Sequence, residues 1–128
     1  MTKINDEMKS LLDETDIWVL ASADNSGMPN AVPIFFTKIL DNGNLLLVDN
    51  FMNKTLENIK QNPMVSVSVW KDKAGYQFKG TAVIETDGVN FEQGEELAKG
   101  RNPKGVVVVA LTSVYTTAPG PDAGKKLL

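Results

Sequence analysis

The triplet in this sequence best suited to chemistry is Asn53-Lys54-Thr55. It opens the segment Asn53 to Gln61, where Leu56 and Ile59 share a helical face, Asn53 stands as N-cap and Asn62-Pro63 is the stop. The first turn of a helix carries unpaired amides and the positive end of the dipole, so it attracts an anion. A lysine in that turn opposes the dipole, at a cost of about a few tenths of a kcal/mol. An anionic group beside Lys54 removes that cost, and Thr55 adds a hydroxyl donor. Read without a ligand, the same residues are a solvated surface lysine behind an ordinary Asn53 cap.

What the chain lacks narrows its chemistry. The 128 residues contain no histidine and no cysteine. The commonest general base, the commonest metal ligand and the usual axial ligand of haem are therefore missing, as are thiolates and disulfides. An unaided hydrolase or a metal centre is not expected, and no catalytic acid or base is identifiable. Glu92, Glu95 and Glu96 cluster on a polar helical stretch, which reads as a solvated face. A formal net charge of −3 leaves no basic face for nucleic acid. The segment Met1 to Asp13 is charged and unlike a leader, and no apolar run approaches the about 18 residues of a membrane span. The expectation is a cytoplasmic protein with neither nucleic-acid nor membrane partners.

The elements that must position Asn53-Lys54-Thr55 are mostly strands. Ile4, Met8, Leu11 and Leu12 recur at helical spacing near the N-terminus. Ile17 to Ala23 reads as a strand, followed by the turn Asp24 to Gly27 and a long strand from Asn30 to Leu40. The Asn42-Gly43 turn then predicts an antiparallel pairing of Asn30 to Leu40 with Leu45 to Asp49. Val65, Val67 and Val69 alternate with Ser66 and Ser68, and Tyr76 to Glu85 offers the next strand across a loop at Lys71 to Gly75. Val89 to Gly100 is weakly helical. Val106 to Tyr115 begins with four valines, as expected of a strand covered on both faces. Ala118 to Leu128, with two prolines and two glycines, reads as a turn-rich tail. The fold predicted is mainly β: a single domain spanning 1–128, six antiparallel strands in a closed or partly closed barrel of Greek-key type, with two or three short helices.

Three stretches carry a family resemblance. Leu45-Leu46-Leu47-Val48-Asp49-Asn50-Phe51-Met52-Asn53-Lys54-Thr55 with its helix and the strand Val65 to Trp70, Gly27 to Ile34 upstream, and Gln77 to Ala82 downstream resemble the pyridoxamine-phosphate-oxidase-like FMN-binding split-barrel family. The similarity covers roughly residues 15–115. The small bacterial FMN-binding proteins of that family, with Lys-Thr at this helix start and Thr-Asp-Gly later, as at Thr86-Asp87-Gly88 here, look closest.

The resemblance implies a split barrel that binds FMN between two subunits. It assigns Lys54 and Thr55 to the FMN phosphate, with the amides behind Asn53 assisting. It sets the backbone of Pro33, Ile34 and Phe35 along the isoalloxazine edge, and Asp49 and Asn50 near the ribityl chain or ring. Gln77 and Lys79 match a strand that supplies polar contacts, often from the second subunit; they read equally as outward strand polarity. Val32 stands where the oxidase of the family carries a phosphate-binding arginine, and the basic residues of a second phosphate site are missing. The absent histidines argue against the haem-handling branch. The implied function is a flavin-dependent oxidoreductase served by a small-molecule or redox-protein donor. An FMN electron-transfer or storage protein, or a deazaflavin-binding relative, are the alternatives. The tail around Lys125 is either disordered or folds over a flavin.

Overall fold

Alternation of side chains sets the inside and outside of the sheet. In the computed structural model, which describes residues 3–128, Val65, Val67 and Val69 of strand β5 (Met64–Lys71) point into the main core and Ser66 and Ser68 point away from it. Met1 and Thr2, the start of the charged N-terminal segment, lie outside the described residues. The other strands are β1 (Trp18–Ala23), β2 (Pro29–Ile34), β3 (Thr37–Ile39), β4 (Leu45–Asp49), β6 (Ala74–Glu85) and β7 (Gly105–Thr116). They form one curled antiparallel sheet in the order β2-β1-β5-β6-β7-β4-β3, broadly a split barrel.

The sheet has seven strands where six were expected, because the segment from Asn30 to Leu40 is two strands and not one. β2 pairs with β1, Ala31 facing Ala21, whereas β3 pairs with β4, Lys38 facing Leu46. These partners occupy opposite edges of the sheet, so one straight strand could not reach both. Phe35 and Phe36 carry the chain from one edge to the other, and the Phe36 carbonyl accepts from the Val48 amide at 3.0 Å. The unbroken apolar run Ile34-Phe35-Phe36 hid the break. The expected loop at Lys71 to Gly75 is likewise tighter, a two-residue turn at Asp72-Lys73 with Asp72 at φ 56°.

Three helices cover the sheet. α1 (Asp6–Glu14) is capped by Asn5, whose Oδ1 accepts from the Met8 amide at 2.9 Å, and buries Met8, Leu11 and Leu12 in the main core. Helix α2 (Lys54–Gln61) joins β4 to β5, with Ile59 in the same core and Asn58 Nδ2 donating to Ser22 Oγ at 3.1 Å. α3 (Gly88–Leu97) lies on the other side of β4 and β7. Leu45, Leu47, Val107 and Val109 face the main core, and Leu46, Val48, Val106 and Val108 form a second cluster closed by Phe91 and Ala98. The four-valine run is thus covered on both faces, as predicted.

The C-terminal segment is ordered and not merely a loose tail: it returns along β7, with the Leu127 amide on the Val114 carbonyl at 2.7 Å and Lys126 bridging Tyr115. No helix among the described residues is long and apolar enough to cross a membrane.

Candidate cofactor groove

The seam between the two sheet edges opens as a groove of about 790 Å3, within the range of about 300–1,000 Å3 usual for small-molecule sites. One wall is the end of β2 continued by Phe35 and Phe36; the facing wall is the β4–α2 connection and the first turn of α2. β2 is an edge strand, so about half of its backbone N–H and C=O groups are not used by β1. Pro33, which lacks an amide, is tolerated at such an edge.

Seven of the residues expected at a binding site line this groove: Pro33, Ile34, Phe35, Asn50, Asn53, Lys54 and Thr55. Asp49 lies just beneath it, 1% exposed, its Oδ1 accepting from the Met52 amide at 2.9 Å. Its role within this chain is to shape the loop. Gln77 and Lys79 lie away from the groove on β6. Gln77 faces Ser68 across the sheet, and the Lys79 ammonium stands 5.0 Å from the centre of the Tyr115 ring.

Sequence reasoning missed Asn30, Phe36, Phe51, Met52 and Arg101 as lining residues, and placed Val32 only by family comparison. Asn30 Nδ2 donates to Thr55 Oγ1 at 3.1 Å, tying β2 to α2 across the groove. Arg101 comes from the turn between α3 and β7, and its guanidinium lies 5.7 Å from the centre of the Phe36 ring. The signal for it was the turn-forming stretch Gly100-Arg101-Asn102-Pro103, which carries a cation on a tight connection.

Three features of the groove fit an anionic ligand rich in hydrogen-bonding groups. Asn53 sits at the N-cap, yet its side chain makes no capping bond, so the first-turn amides of α2 stay available. Asn50 Oδ1 is buried without a hydrogen-bond partner, a state that costs about 1–3 kcal/mol until a donor arrives. The lining holds two cations, Lys54 and Arg101, and no carboxylate. A phosphate at the start of α2, a polar chain beside Asn50 and a flat ring against β2 match this donor set.

The fold is that of a split-barrel protein with a groove at the seam of its sheet. Residues 4–118 match the profile of the family described as Pyridoxamine 5'-phosphate oxidase. The chain belongs to that family. An uncharacterized protein of Methanocaldococcus jannaschii is 40% identical over 132 residues, covering 98% of this chain and 88% of that one. The Group A Streptococcus protein HupZ superimposes with a TM-score of 0.83 at 29% identity, covering 94% of this chain and 99% of its own. An FMN-binding protein from Syntrophomonas wolfei superimposes with a TM-score of 0.75, covering 87% of this chain and 84% of its own. At 15% identity it is similar in fold alone.

Proposed function

We propose that the chain is an FMN-binding oxidoreductase of small molecules. The single observation that carries this reading is the helix start left open by Asn53, with Lys54 and Thr55 in its first turn and the groove running from it along β2. Lys54, the buried Thr55 hydroxyl and the first-turn amides would hold the phosphate, where helix dipole and ammonium both favour negative charge. Asn50 would take a donor from the ribityl chain. The backbone of Pro33, Ile34 and Phe35, at the end of an edge strand, would orient the ring edge. Bound there, FMN supplies the redox chemistry, and the protein contributes position, exclusion of water and electrostatics.

The reading includes a homodimer. Met64 and Trp70 on β5 and Val83 on β6 are 67, 57 and 58% exposed, and all three point outward on one face of the sheet. Ser66 Oγ on the same face is buried without a partner. Gln77 and Lys79 belong to this face too, so a second copy seated on it gives those residues a groove to reach. Exposed apolar side chains at both ends of this sheet face support the dimer reading.

The visible absorption spectrum of the purified protein, with mass analysis of any released chromophore, tests the reading. Flavin bands with the mass of FMN support it. A colourless protein that fails to quench added FMN overturns it, and a deazaflavin mass replaces the cofactor. Sedimentation equilibrium tests the dimer, and a monomer at micromolar concentration removes that part.

A further inference from the structure

The Thr55 hydroxyl has its lone pair engaged and its proton unclaimed. The residue is 1% exposed, and among the described residues its Oγ1 makes a single hydrogen bond, accepting from Asn30 Nδ2 at 3.1 Å. We propose that Asn30 is a positioning residue: by donating to Thr55 it fixes the hydroxyl as a donor toward the groove, and so selects a ligand that ends in a phosphate over the same ligand ending in an alcohol. This deepens the FMN reading above and rests on it.

A hydroxyl holds one proton, which turns to suit its partners, whereas an amide nitrogen can only donate. Opposite the Asn30 nitrogen Thr55 must accept, so its proton is directed elsewhere. A threonine inside a helix can give that proton to the carbonyl four residues back. For Thr55 that residue is Phe51, which lies in the loop before α2 and receives no such bond. A buried donor without an acceptor is costly, and the terminal oxygens of a phosphate dianion are acceptors that carry charge as well. An alcohol brings a proton of its own and no charge.

A second stitch of the same make lies one helical turn further on. Asn30 on β2 pairs with Ser22 on β1, and Ser22 Oγ accepts from Asn58 Nδ2 at 3.1 Å. Thr55 and Asn58, three residues apart, share a face of α2. Both stitches run between α2 and the β1–β2 pair, and in both an amide nitrogen donates to a hydroxyl. They differ in surroundings: Asn30 and Thr55 line the groove, and Ser22 and Asn58 do not. The Ser22 stitch fastens the helix; the Asn30 stitch is the one whose polarity a ligand can read.

The polarity agrees with the rest of the helix start. The first-turn amides left open by Asn53, the Lys54 ammonium and the Thr55 hydroxyl then all offer donors there. Turned the other way, with its proton given to residue 30, the hydroxyl would set a lone pair beside an incoming anion.

The experiment compares FMN with riboflavin, which lacks the phosphate, by quenching of flavin fluorescence. The wild type is expected to bind FMN at least about a hundredfold more tightly. T55V should lower that preference by about tenfold, and N30D, whose carboxylate takes the Thr55 proton, by about tenfold or more. In the N30D chain T55V should then change the preference by less than about twofold, because the hydroxyl has already turned away. S22A removes the other stitch, and should lower the melting temperature while leaving the preference within about twofold of wild type. Three results overturn the proposal and leave the FMN reading standing: an undiminished preference in N30D; the same loss from T55V in N30D as in the wild type, which means that the new charge acts alone; or a loss in S22A equal to that in N30D, which makes Asn30 a structural stitch only. Equal binding of the two flavins by the wild type ends the phosphate assignment and the proposal together. A chain that takes neither flavin discards the FMN reading, and inorganic phosphate then decides: a rise in melting temperature that N30D abolishes and S22A retains keeps the donor site, and no rise overturns it.

Discussion

The Lys104 ammonium lies 3.8 Å from the Asp49 carboxylate, one partner half-exposed and the other sealed under the groove. A buried carboxylate that loses its cation keeps its desolvation cost, whereas an exposed pair contributes little. This pair is mixed, and the Met52 amide also supports Asp49. Lys104→Met is expected to lower unfolding stability by about 1–3 kcal/mol in urea titrations. Unchanged stability would mean that the Met52 amide suffices for Asp49.

Lys54→Ala removes the cation at the helix start and leaves the amides. FMN affinity should fall by about 1–3 kcal/mol, the worth of a charged hydrogen bond, measured by fluorescence quenching. Thermal stability of the flavin-free protein should not change. Unaltered affinity would sink the phosphate assignment.

At Gly80 a side chain has nowhere to go, because a β-carbon there would collide with the backbone carbonyl of Ala110 on the paired strand. The register shifts at this point, between Lys79 and Gly80. Gly80→Ala is expected to cost about 1–3 kcal/mol, as for overpacking that forces backbone to move. Chemical denaturation is the measurement, and a stable variant would show that the bulge absorbs a methyl group.

Two groups add a pH dependence to stability. Burial, followed by the charge and hydrogen bond of Glu7, pushes the Tyr76 phenol above its ordinary value of 10.0. The folded chain favours the neutral phenol, so its contribution is intact below the ordinary value and is lost as pH rises through the raised one. The denaturation midpoint should fall above about pH 10, and less steeply in Tyr76→Phe. The Asp24 carboxyl is held below its ordinary 3.8, first by the Met28 amide and then by the Ser26 hydroxyl. Its contribution is present above that value and disappears as pH falls through the lowered one, a small effect on an exposed hairpin. Asp24→Asn should flatten stability on the acid side.

Local patterns made most of the scaffold legible. The valine-serine alternation, the Asn42-Gly43 turn and the Asn62-Pro63 stop each act over a few residues, and each marks an element found in place. The division of Asn30 to Leu40 between two sheet edges was not legible, since it depends on which strands lie opposite and not on the segment itself. The same holds for the groove. Lys54 was readable because a cation in a first helical turn is locally anomalous. Arg101 was not, because only the packing of α3 on β4 and β7 brings residue 101 beside residue 36. Asn53 was readable as a cap position, but not the fact that its side chain leaves the amides alone.

The chain crosses the seam of the sheet through Phe35 and Phe36, and β2 and β3 have no ladder between them. A ligand large enough to fill the groove touches the β2 edge, the β4 loop and the start of α2 at once. Its occupancy is then linked to unfolding of the whole domain, since opening the seam destroys the site. A ligand at a hundred times its Kd adds about 2.7 kcal/mol to the unfolding free energy. The melting temperature becomes a binding assay: a compound that fills the groove is expected to raise it, and one that does not is expected to leave it where it was.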